Sequence, residues 1–505
     1  MTIPRLNLLK QVAFGLSLSL LSHFTLHAEE VGATSDADST APVFKLGVVT
    51  HMGKQFQGYS IESTTQRLKD AGIMSFRDEI YWKEVEKEKG VLKVPSYADE
   101  MVNTALAKGI DPLIILSYGN PFYDEGGYPL SEEAQAGYIR YAMFLIEHFK
   151  GRVHTFELWN EWDMGLGVPR KKGEPRKRPD PKLYADFVAS VYPVLKKAYP
   201  DVTFLAGGHA MFSVHSGKPD LNSKNPWELM RGWFDEVLSY GLIQNCDGLA
   251  MHTYVKAVED PELWIRWMRE LQDRYAKDYN NGQPVPMYVT EVGWFTHSGA
   301  GVDHYVQADH IARLVLLSRT IPEIKGLWYF NMANDVFGIS HGSGSPRPAY
   351  FSLADVSELV SNGEYLGRVE TSNPNVYILR FKAQDGSEKW AAWSREKLGF
   401  RDERYNSPVT GYYGVQLQNE GDTSKPLQVQ IAGMGPYELV WGQLKTRYGS
   451  IDPTLGKLTV GPRPQIISGD LSQVHVLSVK ATELPDKKKG ELKDKDGANQ
   501  GVVIE

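Results

Sequence analysis

From residue 45 onward the chain alternates short apolar runs with longer amphipathic segments. Runs of strand length fall at 45–51, 74–80, 112–120, 156–162, 203–209, 247–254, 287–294 and 324–330. Between them, segments at 64–71, 99–108, 132–149, 184–198, 227–240, 261–275 and 305–320 carry apolar residues at helical spacing. Tyr138, Tyr141, Ala142, Leu145 and Phe149 are the clearest set, recurring every three or four positions. Strand-then-helix units in series predict an α/β fold, a (β/α)8 TIM barrel over residues 43–352. A doubly wound open sheet is the alternative. It would carry a glycine-rich first turn, and Thr50-His51-Met52-Gly53 is not one.

After Tyr350 the rhythm changes. Short apolar runs at 375–381, 389–393, 427–431, 437–441, 457–460 and 474–480 are separated by Gly, Pro and Asp, which predicts a C-terminal β-sandwich domain over 353–480. Trp390 and Trp393 are expected to pack inward there, making the domain structural. Residues 481–505 are Lys, Asp, Glu and Gly with few large apolar side chains, and read as a disordered charged tail.

At the other end, Arg5 and Lys10 precede an apolar run, 12–21, too short to cross a bilayer. With Ala28 as a cleavage position, residues 1–28 read as a secretory signal peptide and 29–42 as a flexible leader. The expected location is periplasmic or secreted. No second run of about 18 apolar residues follows, so no membrane span is expected in the mature form.

At 505 residues the chain has room for one large and one smaller domain. A net charge of −7 argues against a general nucleic-acid binder. Twelve Trp and 26 Tyr exceed what a core needs and suit stacking on sugar rings. Cys246 is the lone cysteine, which excludes an intramolecular disulfide and thiolate metal clusters. It stands at the start of an apolar run, as a buried small hydrophobe would.

In a (β/α)8 barrel the chemistry sits at the C-terminal ends of the strands. His51, Arg77, Tyr118, Asn120, Asn160, Glu161, His252, Tyr254, Glu291 and Trp328 all fall in or at the ends of predicted strands. Two carboxylates, Glu161 and Glu291, each flanked by Trp, are what retaining glycoside hydrolysis needs. Glu161 would be the general acid and then the base, with a pKa raised by Trp159 or Trp162. Glu291 would be the nucleophile, kept ionised by Arg77, His252 or Tyr254. Asn160 would donate to a sugar 2-hydroxyl and Trp328 would floor the sugar at the cleavage point. Tyr123 and Tyr128 would stack on neighbouring sugars, although each taken singly reads first as loop packing. Against these readings, Arg77 can equally pair with Asp78 or Glu79, and His51 and His209 stand open between core hydrogen bonding and substrate contact. Residues 170–178 hold six basic side chains and one acidic, beside Glu161, and read either as a solvated, mobile loop or as a holder for an acidic or acyl-modified polysaccharide.

Trp159-Asn160-Glu161 together with Thr290-Glu291-Val292-Gly293-Trp294 resembles clan A of the retaining glycoside hydrolases. Phe76-Arg77-Asp78, then Trp82-Lys83-Glu84-Val85-Glu86 and Gly90, is similar to the second strand and following loop of glycoside hydrolase family 39, as is Tyr118-Gly119-Asn120 with its Tyr-bearing loop. The resemblance covers roughly residues 43–350, with the family's β-sandwich appendage after it. It implies an exported, exopolysaccharide-cleaving endoglycosidase of the kind encoded with biofilm polysaccharide machinery. It also implies a polysaccharide substrate, no cofactor, a monomer, and polysaccharide export machinery as the partner class. The basic loop and charged tail depart from the family.

Two other classes compete. One is a glycan-binding or scaffold protein of polysaccharide biosynthesis and export that has kept the barrel and lost turnover; the presence of both glutamates counts against it. The other is a barrel metallohydrolase, which would want a His-x-His pair on the first strand where only His51 stands, so no metal is expected.

Overall fold

The computed structural model describes residues 44–54, 59–170, 178–212, 226–254, 261–296, 302, 304–394, 427–432, 437–440, 450–452, 457–461, 463–469, 471 and 475–481. The expected signal, leader and tail, and most of the basic loop, lie outside them.

Eight parallel strands close into a barrel: β1 (Lys45–Val49), β2 (Ser75–Tyr81), β3 (Asp111–Ser117), β4 (Thr155–Leu158), β5 (Thr203–Phe212), β6 (Gly248–Tyr254), β7 (Met287–Val292) and β8 (Ile324–Tyr329). Each pairs with the next, and β8 returns to β1 through Lys45↔Gly326 to Val48↔Tyr329. The helices are α1 (Ile61–Asp70), the single-turn α2 (Trp82–Val85), α3 (Ser96–Leu106), α4 (Glu132–His148), α5 (Pro181–Ala198), α6 (Pro226–Ser239), α7 (Pro261–Tyr279), α8 (His304–Arg319) and α9 (Pro348–Asn362). Side-chain caps fix where several begin. Ser60 accepts from the Ser63 amide at α1, Ser131 from Ala134 at α4, and Asp180 from Lys182 at α5, where Pro181 occupies the first turn.

The TIM barrel is therefore the one expected, with two differences of extent. Several strands stop short of the apolar runs that announced them: β4 ends at Leu158 and β3 at Ser117. The residues beyond leave the ladder and form the mouth. The last helix was not foreseen, and α9 runs through the expected domain boundary at 352.

Inside the barrel, Val49, Leu113, Ile115, Leu205, Ala250 and Trp328 form one cluster. Trp328 fills this floor, not a sugar site. Its indole is fully buried and its Nε1 donates to Ser75 Oγ at the start of β2, 3.0 Å away. Gly47 and Gly326 make room for it, since a Cβ at either position would overlap the ring. The interior of such a barrel is a packed core, and a Trp needs two glycine gaps to fit its layer.

The C-terminal part forms two antiparallel sheets, as expected of a β-sandwich. One has the order β13-β16-β11-β10-β9, from β9 (Glu364–Arg368), β10 (Val376–Lys382), β11 (Glu388–Ser394), β13 (Tyr437–Val440) and β16 (Gln465–Gly469). The other is β14-β15-β12-β17, from β12 (Leu427–Ala432), β14 (Ser450–Asp452), β15 (Lys457–Val460) and β17 (His475–Ala481). Trp390 and Trp393 are both buried, on opposite faces of β11 as strand alternation requires. Trp390 packs with Val376, Ile378, Leu458 and Val460. Trp393 joins the core that continues into the barrel. Arg463 and Asp309 of α8 are hydrogen-bonded across the same junction.

Gly47→Ala is expected to destabilise the fold by about 1–3 kcal/mol, the usual cost of overpacking a filled core. This is read as a lower denaturant midpoint at constant slope. An unchanged midpoint would show that the Trp328 floor yields freely.

Candidate active site

Ser75, Arg77 and Glu79 are alternate residues of β2, so they climb one face of the strand into the barrel. Ser75 meets Trp328 at the floor. Arg77 lies in the next layer. It is 1% exposed, and its guanidinium organises three strands. Nε donates to Glu157 Oε2 at 2.7 Å and Nη2 to Glu157 Oε1 at 3.1 Å. Nη2 also donates to Asn160 Oδ1 at 2.7 Å, and Nη1 donates to Glu291 Oε1 at 2.7 Å. Burial opposes its charge, but Glu157 and Glu291 outweigh that and raise its pKa further. Arg77 pairs with these partners rather than with its neighbours Asp78 and Glu79.

Strand alternation breaks at the end of β4. Trp159 (φ 70°) and Glu161 (φ 47°) are left-handed, which costs on the order of 1–3 kcal/mol for each non-glycine residue. The packing of Trp159 against Tyr138 and Phe187 holds the turn, as does the Glu161 amide donating to Gly208 O at 2.9 Å. Trp159 goes outward to the helices, and Asn160 and Glu161 both face the mouth. Asn160 Nδ2 donates to the Tyr118 hydroxyl at 3.0 Å.

Glu291, on β7, accepts from Arg77 on one oxygen and from the Tyr254 hydroxyl on the other, at 2.8 Å. His252 lies between the two glutamates. Its Nδ1 is 2.8 Å from Glu161 Oε1 and 3.6 Å from Glu291 Oε2, while its Nε2 faces Arg77 Nη2 at 3.4 Å. A carboxylate oxygen of Glu161, one of Glu291 and a ring nitrogen of His252 lie within 4.8 Å of one another.

The two glutamates are both buried yet titrate in opposite directions. Desolvation dominates at Glu161 and, with the Glu291 charge, holds its pKa above the usual value, against the pull of His252. At Glu291 desolvation acts the same way. There the charges of His252 and Arg77 and the hydrogen bonds from Tyr254 and Arg77 together exceed it, and the pKa falls. Glu291 loses its proton first and Glu161 keeps it longer. Oppositely shifted carboxyl groups can serve as carboxylate and acid at one pH.

Glu161, Glu291, Arg77, Asn160, Tyr118, His252 and Tyr254 thus converge on one mouth. His51 reaches its rim, half-buried, with Nδ1 3.5 Å from Glu79 Oε2 and its ring edge against Tyr59 and Phe330. Asn120 does not face the mouth. It is fully buried, its Nδ2 donates to Glu86 O at 2.8 Å and its Oδ1 accepts from the Phe122 amide at 3.0 Å. It ties the loop after β3 to α2. Tyr123 is likewise internal, stacked on Trp82 at 4.9 Å with its hydroxyl on Glu86. Tyr128 stacks on Trp162 at 4.1 Å and donates to its carbonyl. Tyr123 is thus part of the packed interior, and Tyr128 is half-buried with one face on Trp162. His209 is enclosed by Tyr184, Trp233 and Phe234, where burial lowers its pKa. Cys246 is buried, with its thiol pKa pushed up by desolvation.

Two residues that act on the site were not singled out from the sequence. Glu157 is the buried partner of Arg77; a lone carboxylate inside an apolar strand was the available signal. Glu79 stands above Arg77, its pKa near 2 because His51, Lys54 and Arg77 outweigh desolvation. His51, Asp78 and Glu79 have the donor types of a cation site. Asp78, however, already accepts from Thr50 Oγ1, the Met52 amide and the Glu79 amide, and Lys54 lies 3.4 Å from Glu79. These donors are engaged in holding the β1 loop to β2.

No family model matches the sequence, and no curated protein matches it. Solved structures share the fold. A family 39 glycoside hydrolase from the gut symbiont Bacteroides cellulosilyticus WH2 aligns with a TM-score of 0.57 at 22% identity, covering 84% of this chain and 80% of that one. Weaker alignments include a family 1 β-glucosidase from Exiguobacterium antarcticum, with TM-score 0.46, 14% identity, 63% of this chain and 97% of that one. A family 1 β-glucosidase from Thermotoga maritima aligns with TM-score 0.45 at 16% identity, over the same shares of 63% and 97%.

Asn120→Ala is expected to lower stability by about 1–3 kcal/mol, because it strands the buried Glu86 carbonyl and removes the acceptor of the Phe122 amide. Substrate KM should be unchanged. A KM rise with an unaltered denaturant midpoint would instead put Asn120 in a binding site.

Proposed function

We propose that this chain is a retaining glycoside hydrolase. One observation carries the reading: two buried carboxyl groups with oppositely shifted pKa values, one oxygen of each within 4.8 Å of one oxygen of the other, share the mouth of a (β/α)8 barrel. Retaining enzymes place their carboxyl groups about 5–5.5 Å apart, whereas inverting enzymes need roughly 6.5–9.5 Å to admit water between. The fold shared with a family 39 glycoside hydrolase supports the same reading.

In this mechanism Glu291 attacks the anomeric carbon as Glu161 protonates the departing glycosidic oxygen, giving a glycosyl ester. Glu161, now a carboxylate, takes a proton from water. The water oxygen displaces Glu291, and the product keeps its anomeric configuration. Arg77 and Tyr254 keep Glu291 ionised and aimed. Asn160 has one amide proton committed to Tyr118 and another to offer a sugar hydroxyl. The substrate proposed is a bacterial exopolysaccharide cleaved internally, reached after export by the 1–28 segment. The six bases of 170–178 would favour an acidic glycan, so neutralising them should raise KM at low salt.

Hydrolysis of a panel of bacterial exopolysaccharides, with product anomers followed by NMR, tests the proposal. The expected result is retention, with Glu291→Gln slower by about three orders of magnitude or more, ~4 kcal/mol in barrier. Saturable binding without cleavage by either protein would favour a glycan-binding scaffold.

The pH profile has a defined sign. Activity should fall on the acid side as Glu291 protonates, below the ordinary carboxylate range, and on the alkaline side as Glu161 deprotonates, above it. Glu161→Gln should erase the alkaline limb in the residual rate.

A further inference from the structure

We infer that Glu157 is a positioning residue for the reaction, acting on Glu291 through Arg77. The inference rests on the glycosidase reading for its kinetic consequences, but its electrostatic part stands without it.

Glu157 is 0% exposed and lies within β4. Both of its oxygens serve Arg77, at 2.7 and 3.1 Å in the two-point arrangement that fixes a guanidinium plane. Thr290 Oγ1, the residue before Glu291, donates to Glu157 Oε1 at 3.4 Å. The backbone of β5 closes over the same oxygen: a Cβ at Gly208 would come within 2.6 Å of it. Glu157 therefore has one rotamer and one partner set. Once Nε and one edge of Nη2 are taken by Glu157, the remaining directions of the guanidinium are determined. Nη1 points at Glu291 and the other edge of Nη2 at Asn160.

Charge gives it a second role. Arg77 alone would over-stabilise the Glu291 carboxylate and weaken it as a nucleophile. Glu157 supplies a compensating negative charge, so Glu291 shares the cation instead of owning it. The charged and titratable groups bearing on this centre are Arg77 and Glu79 from β2, Tyr118 from the loop after β3, Glu161 and Asp163 from the turn after β4, His252 and Tyr254 from β6, and Glu291 from β7.

Two substitutions separate position from charge. Glu157→Gln keeps the shape and removes the charge. Taking a negative charge from beside Arg77 should lower the pKa of Glu291 and, through the same field, that of Glu161. Both limbs of the pH–rate profile should then move to lower pH, with kcat down on the order of 10²-fold. Glu157→Asp keeps the charge and withdraws the carboxylate by one methylene. Its limbs should stay in place while kcat falls and KM changes little. Limbs that do not move in Glu157→Gln, or an undiminished kcat in Glu157→Asp, would overturn the inference.

A purely structural residue would lower the unfolding midpoint without moving a pH limb. The arm that needs no substrate is 13C NMR titration of carboxyl-labelled glutamates, with Glu291→Gln and Glu161→Gln to assign the two resonances. A Glu291 titration displaced downward in Glu157→Gln supports the charge role even if the wild type cleaves nothing, an outcome that would sink the glycosidase reading alone. An undisplaced titration removes the charge role whatever the activity.

Discussion

A guanidinium buried to 1% exposure cannot stand alone. Removing one partner of a buried ion pair typically costs about 3–5 kcal/mol, because the charge left behind has no water. Arg77 answers this constraint with two carboxylates and an amide oxygen drawn from two other parts of the barrel. The same contacts that make its burial tolerable set the geometry of the mouth. Glu291 is held by one arm and Asn160 by another, while Glu157 anchors the rest. Stability and site construction are here one network, so changes to it are expected to act on both.

The barrel sorts its interior by height along β2. Ser75 closes the floor with Trp328, Arg77 neutralises the middle layer, and Glu79 meets His51 and Lys54 at the rim. Apolar packing below and charge above is what lets one sheet serve as core and as site. Unequal partners are what drive the two glutamates apart. Desolvation raises both pKa values, and only Glu291 has enough cationic and hydrogen-bonding partners to reverse it. Among the described residues Glu161 has His252 alone as a close side-chain hydrogen-bond partner, which is not sufficient.

Periodicity made the barrel and the sandwich legible, since strand and helix repeats depend on local burial and each unit shows them independently. The two glutamates could be picked out as well, because a carboxylate at the end of an apolar strand is unusual enough to mark. Failures came where a side chain's direction depends on more than alternation. Trp328 was expected at the mouth, but Gly47 and Gly326 open a space at the floor that the indole fills. Asn120 was expected to meet sugar, but the buried carbonyl of Glu86, just past the end of α2, takes its amide.

The amino-acid sequence by itself determined the order of elements, the fold class and the residue types gathered at the strand ends, because these follow from local patterns of polarity. Which of those residues meet was decided by tertiary structure. Arg77 and Glu157 are 80 positions apart, and Arg77 and Glu291 are 214 apart. Only closure of the barrel, with its register and the left-handed turn after β4, brings their charges within hydrogen-bonding distance. The pKa division between Glu161 and Glu291 belongs to the same level, since burial and neighbouring charge are properties of the assembled interior.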